Sequence, residues 1–189
     1  ISTDLFLLLF WTLSLNELVK INREHSLKNF ILLGIFLGLG FLSKYAAIYF
    51  VICLFVLILF DKRFRKIFLD NLFGFCLTFL CVSVIIVPNI IWNFNNDWIT
   101  LQHTSDNANF GNIEIDLIRG LEFLLIQVLM LGPFMVLGGI FGFNKWNYIQ
   151  KIFLIFSMPI ILIVLVEAII VRANANWAAP ALISLFALL

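Results

Sequence analysis

Leu72-Phe-Gly-Phe-Cys-Leu-Thr-Phe-Leu-Cys-Val-Ser-Val-Ile-Ile-Val87 is the clearest apolar run in the chain, and its two flanks differ in character. The basic segment Asp61-Lys-Arg-Phe-Arg-Lys66 lies just upstream. Downstream, Pro88-Asn-Ile-Ile-Trp-Asn-Phe-Asn-Asn-Asp-Trp98 is aromatic, rich in amides and without basic residues. The stretch from Phe68 to Trp98 therefore predicts a membrane-spanning helix. Its basic end faces the cytoplasm, because loops rich in Lys and Arg stay on that side.

Composition indicates that the chain as a whole lies in a membrane. Of its 189 residues, 63% are hydrophobic, only 12% are charged, and 22 are Phe. Soluble domains average about 45–50% apolar and about 25% charged residues. The net charge of +1 gives no argument for nucleic-acid binding. A helix crosses a bilayer with about 20 mostly apolar residues, and several such runs occur. We therefore expect an all-α, polytopic transmembrane helical bundle.

The apolar runs predict about seven spans, organised as one integral-membrane domain over residues 1–189. The predicted spans are residues 5–19, 29–42, 46–60, 71–91, 117–143, 152–171 and 178–189. Residues 92–116 form the longest polar loop in this prediction. The span that follows this loop, residues 117–143, contains Gly132-Pro133, which should bend it. The chain begins without Met and stops inside an apolar run, which predicts a piece of a longer protein.

Charge assigns the loops to two sides of the membrane. Segments 20–28, 61–70 and 144–151 are basic and are expected in the cytoplasm. Residues 29–60 lie between two such segments, so they must cross the membrane an even number of times. The simplest solution is a hairpin whose outer turn contains Lys44, flanked by Ser and Tyr.

Two charged side chains on the outer side have alternative interpretations. Asp4 lies at the start of the first span, where a helix cap is the simpler interpretation. A carboxylate there could also bind a metal or orient an acceptor hydroxyl. Lys44 lies between two apolar arms, where a cation costs about 2.5–3.5 kcal/mol at mid-bilayer. It either extends to the headgroups or binds a phosphate or carboxylate.

Aromatic and amide side chains gather in the loop 92–116 and in the turn 172–177. Tryptophan at a membrane boundary usually marks the headgroup level. Beside asparagine it could equally stack on a sugar while the amides hydrogen-bond its hydroxyls. The candidate substrate-binding residues are Tyr45, Trp92, Asn93, Trp98, Asn176 and Trp177.

Three further features carry an expectation. His103 shares its loop with several carboxylates and could ligate a divalent metal, although no metal-motif spacing is present. Glu167 lies inside a span near its outer end and is expected to pair with Lys44 or Arg172. Gly34-Ile-Phe-Leu-Gly38 predicts close packing of two helices.

Four segments, in order along the chain, resemble those of a known family. Gly34-x3-Gly38-Leu-Gly-Phe-Leu-Ser-Lys44-Tyr resembles a Gly-Leu-x-x-Leu-(Ser/Thr)-Lys segment. That segment occurs in bacterial relatives of the dolichyl-phosphate-mannose protein mannosyltransferases, a group that includes the lipid A aminoarabinose transferases. Thr3-Asp4 resembles the family's Asp at the start of an early helix. The family's Pro-Trp turn and the external loop after it resemble Pro88-x3-Trp92-Asn, followed by Asn96-Asp-Trp98 and His103. Its late Asn-Trp turn resembles Ala173-Asn-Ala-Asn176-Trp177-x2-Pro180.

The resemblance covers essentially the whole chain and implies an integral-membrane glycosyltransferase of the C-type superfamily. Such enzymes move a sugar from a polyprenyl-phosphate carrier to a lipid, polysaccharide or protein acceptor at the outer face of the bacterial cytoplasmic membrane. It implies that Lys44 faces the carrier phosphate, that Asp4 is an auxiliary acid and that His103 approaches a divalent metal or the donor. The family's principal catalytic carboxylate lies in an external loop before the equivalent of Asp4, and that loop is missing here. Tyr45 replaces a Gly that is common in the family.

Two other function classes stay open. A polytopic transporter or channel for a polar solute would use Lys44 and Glu167 along a midplane path. Transporters often carry interrupted helices in matching positions of two repeats, and no internal repeat is visible here. The second alternative is a non-catalytic membrane scaffold. An external loop with paired carboxylates upstream of Ile1 would favour the enzyme over both.

Overall fold

The computed structural model describes residues 3–108, 115–142, 146–171 and 173–188. The chain forms two compact units, Ile1–Phe94 and Asn95–Leu189. The helices that begin in the first unit are α1 (Thr3–Glu24), α2 (Leu27–Ser43), α3 (Ile48–Phe60), α4 (Lys62–Asp70) and α5 (Leu72–Asn95). Those that begin in the second unit are α6 (Ile99–Ala108), α7 (Leu117–Leu131), α8 (Pro133–Gly142), α9 (Tyr148–Ile155), α10 (Met158–Ile170) and α11 (Ala179–Leu188).

The predicted break at Ser43-Lys44-Tyr45 is present: α2 and α3 are joined by a short turn, and their arrangement as a membrane hairpin stays a prediction. Lys44 ends α2 in an extended conformation, with φ −163° and ψ 135°, and its N–H still donates to Gly40 O at 3.0 Å. One turn of 3₁₀ helix, Tyr45–Ala47, then leads into α3. The extended residue interrupts the chain between two apolar helices, so Lys44 lies where α2 ends and just before the turn that leads into α3.

Among the described residues, two helical segments are long and apolar enough to cross a membrane. They are Leu72–Asn95 and Tyr148–Ile170, which combines α9 and α10. The number rises to three if α3 and α4, which are bent by 105°, count as one span. The count of about seven spans is not confirmed, because the other predicted spans fall on shorter helices or, in α1, on a helix that also carries charged side chains. The apolar side chains of α5 are largely exposed, with Phe79 at 73%, as expected of a surface that faces lipid.

Helix α2 approaches α5 closely at Gly34 and Gly38, as the paired glycines predict. A Cβ at Gly34 would lie 2.6 Å from Thr78 O, so only glycine allows this approach. Thr78 Oγ1 donates across the same contact to Phe30 O at 2.8 Å. Phe30 in turn lies over Gly74, where a Cβ would meet its ring at 2.6 Å. These contacts fix where the far end of α5 lies relative to the hairpin turn.

In the second unit, α7 packs against α10 and against the turn before α11. Asp116 N donates to Ile169 O at 2.8 Å, and Gly120 lies against the Ile169 side chain. Gln127 Nε2 donates to Ala175 O at 3.1 Å, which ties α7 to the 3₁₀ turn Ala175–Ala178. The predicted bend at Gly132-Pro133 is confirmed, since α7 ends at Leu131 and α8 begins at Pro133. Gly132 has φ 92°, a conformation that favours glycine.

Two segments predicted as loops contain helix. The span predicted to end at residue 91 continues through Pro88 to Asn95, and residues 99–108 of the predicted outer loop form α6. A proline inside a membrane helix is tolerated where neighbouring groups satisfy the carbonyl that it frees. The basic segment 61–70 contains α4, because Asp61 Oδ1 accepts from Phe64 N at 2.7 Å and caps a turn that buries Phe64 and Ile67.

Candidate functional site

An ion pair joins the start of α1 to the hairpin turn. Lys44 Nζ donates to Asp4 Oδ1 at 2.5 Å, between residues 40 positions apart in sequence. Both side chains are about a quarter exposed, 29% for Lys44 and 27% for Asp4. Asp4 lies inside the first turn of α1, which already includes Thr3. The structure therefore does not assign Asp4 the capping position that we expected; its carboxylate holds the lysine ammonium.

Tyr45 extends this polar site to the last turns of α5. Its hydroxyl donates to Asn89 Oδ1 at 3.2 Å and accepts from Asn93 Nδ2 at 3.3 Å. Asn93 Nδ2 also reaches Asn89 O at 3.0 Å and Asn89 Oδ1 at 3.2 Å. Asn93 is only 1% exposed, so its amide forms the buried side of the site. We call the five residues Asp4, Lys44, Tyr45, Asn89 and Asn93 the turn site.

The turn site offers both a cation and fixed hydrogen-bonding groups. An ammonium has three N–H donors, so Lys44 can hold Asp4 with one and an oxygen of a bound anion with another. The partial exposure of the pair leaves a path for such an anion. Asn89 and Asn93 hold the Tyr45 ring in place, which defines one wall beside the ammonium. A phosphate is a suitable ligand, because lysine binds phosphate as a point charge.

Asn89 is a member of the turn site that was not among the candidate residues indicated by the sequence. The residue follows Pro88 and stands four positions before Asn93, so both amides share one face of α5. Because the span was predicted to end at residue 91, this spacing was not interpreted as helical. An i, i+4 pair of amides at the end of an apolar helix was the signal that could have found it.

The remaining predicted substrate-binding residues lie at the surface of their units. Trp92, on α5, is 49% exposed, and Trp98 is 40% exposed in the turn before α6. Asn176 is exposed and Trp177 is partly exposed in the 3₁₀ turn of the second unit. The turn site brings together Asp4, Lys44, Tyr45 and Asn93; contact of the other residues with a sugar stays a prediction.

The metal hypothesis stays a prediction. Over the described ranges, no group of three or more His, Cys, Asp or Glu side chains is placed to hold a metal ion. His103 belongs to α6 by its backbone, and its side chain lies outside the described residues.

Ionic groups of the second unit lie where α7 begins. Asp116 Oδ1 accepts from Ile118 N at 2.8 Å, and its Oδ2 accepts from Arg119 Nε at 2.9 Å. The Arg119 side chain, aided by the Ile118 N–H, holds the pKa of Asp116 below its usual range. Arg119 also donates to Val171 O.

In the part of the chain that is described, Glu167 Oε2 is buried without a hydrogen-bond partner. Its expected partner Arg172 lies outside that part.

Comparison with known proteins gives two matches. Residues 1–92 match the family described as dolichyl-phosphate-mannose-protein mannosyltransferase, and this range contains all of the turn site except Asn93. The lipid A galacturonosyltransferase RgtD of Rhizobium johnstonii is 29% identical over 188 residues. That alignment covers 97% of this chain and 39% of the relative, so the chain spans about two fifths of the relative's length. No solved structure matches the chain. The two matches confirm the resemblance inferred from the sequence, and the chain fits a part of a membrane glycosyltransferase.

Proposed function

We propose that this chain forms the carrier-phosphate-binding part of a glycosyltransferase. The enzyme takes a sugar from a polyprenyl-phosphate carrier at the outer face of the bacterial cytoplasmic membrane. The observation that carries the proposal is the Lys44–Asp4 ion pair, about a quarter exposed at the turn between α2 and α3, next to Tyr45. The match of residues 1–92 to the mannosyltransferase family supports it, because that range contains both members of the pair.

Transfer from such a carrier needs a cation more than it needs an acid. The acceptor hydroxyl oxygen forms a bond to the anomeric carbon, and the bond from that carbon to the phosphate oxygen breaks. The electron pair stays with the phosphate, which leaves as polyprenyl phosphate, and the hydroxyl proton passes to a base. In this proposal Lys44 neutralises the charge that grows on the departing phosphate. A phosphate is already a good leaving group, so protonating it is not required.

Asp4 acts on this reaction through Lys44. Asp4 Oδ1 accepts a hydrogen bond from Lys44 Nζ at 2.5 Å, so the carboxylate is engaged with the ammonium. Its role is therefore to position the lysine at the hairpin turn. The base for the acceptor hydroxyl comes from elsewhere in the enzyme, and the resemblance assigns it to an external loop upstream of Asp4.

The sugar lies against aromatic and amide groups in this proposal. Trp92 lies on α5 between Asn89 and Asn93 in sequence and is 49% exposed, which suits stacking on a sugar face. Trp98, Asn176 and Trp177 are the other proposed contacts. Asn93 is committed to Tyr45 and Asn89 within the protein, so it supports the wall of the site rather than the sugar directly. A divalent metal near His103 stays part of the proposal.

The acceptor in this proposal is a lipid or glycan, and a lipid is favoured. The support is the similarity to RgtD, whose name describes transfer to lipid A. The polyprenyl chain of the donor would lie on apolar helix surfaces such as that of α5, where Phe73 and Phe79 are exposed.

A transfer assay on the complete gene product tests the proposal. Purified enzyme is given a polyprenyl-phosphate-linked sugar and an acceptor lipid, and product is measured for Lys44→Ala. We expect transfer to fall by about 100-fold or more, the effect of removing one group that stabilises a developing oxyanion. Lys28→Ala is the matched control, because this lysine is exposed on the same helix, near its other end, outside the turn site. Wild-type transfer by Lys44→Ala would overturn the proposal.

The double variant Asp4→Asn/Lys44→Met separates a lost function from a lost fold. Removing one member of a partly buried ion pair leaves the other charge unpaired and destabilises the protein. Removing both avoids this, so the double variant should melt close to the wild type and still fail to transfer sugar. A double variant that is folded and active would show that the pair is structural.

A further inference from the structure

A polar cavity lies in the first unit, at the end of α1 opposite to the turn site. It measures about 780 Å³ and lies between the end of α1 and helix α4. Along α1, Asn22 stands about 27 Å from Asp4 at roughly 1.5 Å per residue, close to the thickness of the hydrocarbon core, about 30 Å. The cavity is therefore separate from the turn site and plays no part in the proposed transfer. We call it the basic cavity; the polar side chains that line it include Asn22, His25, Lys62, Arg63, Lys66 and Asp70.

Charge in the basic cavity favours an anion. Lys62, Arg63 and Lys66 contribute three cations from α4, against the single carboxylate of Asp70. Positions 62 and 66 are one helical turn apart, so the two lysines lie on the same face of α4. A ligand with a net negative charge is attracted here, whereas the ammonium of a zwitterionic headgroup would meet the same cations.

Asn22 is an independent indication that a ligand belongs in the cavity. Its side chain lines the basic cavity and is only 6% exposed. Its Oδ1 atom is buried and has no hydrogen-bond partner among the residues that the structure describes. A buried acceptor without a donor is unfavourable, and native proteins satisfy nearly all such groups. A ligand that carries a hydroxyl as well as an anion would satisfy Asn22 and the cations together.

The position of α4 indicates where that ligand comes from. The helix is bent by 105° from α3, so if α3 runs along the membrane normal, α4 lies close to the membrane plane. Arg65 Nε fixes this bend by donating to Ile58 O, near the end of α3, at 3.0 Å. Phe64 and Ile67 are buried while Lys62 and Lys66 are exposed. An amphipathic basic helix in this orientation lies at the level of the lipid headgroups.

We propose that the basic cavity binds the headgroup of an anionic phospholipid. Lys62, Arg63 and Lys66 contact the phosphate diester, and Asn22 Oδ1 accepts from a headgroup hydroxyl. Phosphatidylglycerol has both features: a single negative charge and a glycerol with free hydroxyls. Phosphatidic acid offers a lipid phosphate without the headgroup glycerol, and glycerol 1-phosphate offers the phosphate and hydroxyls without acyl chains.

Native mass spectrometry of the delipidated complete gene product tests this proposal. Dioleoyl phosphatidylglycerol is titrated against wild type and Lys62→Gln/Lys66→Gln, with dioleoyl phosphatidylcholine as the reference lipid. We expect phosphatidylglycerol binding to weaken by at least about tenfold in the variant, because two charge-assisted hydrogen bonds are removed. Phosphatidylcholine binding should not change. Arg23→Gln/Lys28→Gln is the matched control: it removes the same charge, and both residues are exposed near the same end of the unit but do not line the cavity.

Asn22→Leu tests the hydroxyl contact. Phosphatidylglycerol should bind about threefold to tenfold more weakly, the range for one neutral hydrogen bond, while phosphatidic acid is unaffected. Equal weakening by the lysine variant and by its matched control would overturn the basic cavity as the site. Binding of glycerol 1-phosphate as tight as that of the lipid would identify a soluble phosphate ligand and overturn the lipid assignment.

Discussion

Replacing Gly34 by alanine should push α2 away from α5 and disturb the turn site from a distance. A Cβ at this position would lie 2.6 Å from Thr78 O and 2.7 Å from Cys81 Cβ. Thr78 O belongs to the backbone and cannot rotate away, so the helices themselves must separate. Reaching an ordinary contact distance of 3.4 Å requires a shift of about 0.8 Å. Forcing extra volume into a packed contact costs about 1–3 kcal/mol.

The same shift should weaken hydrogen bonds further along α5. Tyr45 contacts Asn89 at 3.2 Å and Asn93 at 3.3 Å, which is already at the long end of the normal range. A displacement of α5 by a large fraction of an ångström would therefore break them. We expect Gly34→Ala to lower both the melting temperature and the rate of sugar transfer, although the residue touches neither Lys44 nor Asp4.

Gly138→Ala is the control for this substitution. Gly138 is inside α8, and a Cβ there would meet nothing within 4 Å among the described residues. Alanine is the better helix former by up to about 1 kcal/mol, so this variant should melt at or above the wild-type temperature. The assay is thermal unfolding of the complete gene product in detergent, followed by sugar transfer on the same samples. If Gly34→Ala melts and transfers like Gly138→Ala, α2 and α5 do not pack as described.

Three further predictions test other parts of the account. Asn93→Leu keeps the branched shape of the side chain but removes the hydrogen bonds of its amide to Tyr45 and Asn89, so stability should fall by about 1–3 kcal/mol with a loss of sugar transfer; an unaffected variant would contradict the buried wall. Arg119 lowers the pKa of Asp116 in the folded protein. The carboxylate therefore stabilises the fold fully at pH values above the pKa that Asp116 has in the unfolded chain, and this stabilisation is lost as the pH falls through the lower pKa of the folded state. The melting temperature of Asp116→Asn should therefore approach that of the wild type in acid, and a constant difference at all pH values would refute the pairing. For topology, Trp98→Cys should react with an impermeant maleimide from outside the cell and Arg63→Cys only from inside; the reverse would overturn the orientation.

The parts of the fold that the sequence predicted depend on local chemistry. Two apolar runs separated by Lys44 predicted two helices with a turn between them, and α2 and α3 are separated there. The glycines at positions 34 and 38 predicted a close helix contact, which α2 makes with α5. Gly132-Pro133 predicted a break, and α7 ends there. In each case a single residue type restricts the backbone or the contact distance, and no distant partner has to be known.

The parts that the sequence did not predict depend on long-range contacts. Charge counting placed Asp4 and Lys44 on one side of the membrane, but not 2.5 Å apart, because that needs the packing of α1 on α2. The predicted span ended at residue 91, whereas α5 continues to Asn95. The basic segment 61–70 was interpreted by its charge alone, and the buried pair Phe64 and Ile67 that makes it a helix was overlooked.

Binding of the bare carrier is the most direct test of the account, because it isolates the phosphate from the sugar and the acceptor. The dissociation constants of polyprenyl phosphate and of the matching polyprenol, which lacks the phosphate, are compared for the wild type and for Asp4→Asn/Lys44→Met. We predict that the wild type binds the phosphate at least about tenfold more tightly than the alcohol, as expected for a charge-assisted bond, and that the double variant binds both alike. If the folded double variant still prefers the phosphate as strongly as the wild type does, Lys44 does not bind the carrier and the central claim is wrong.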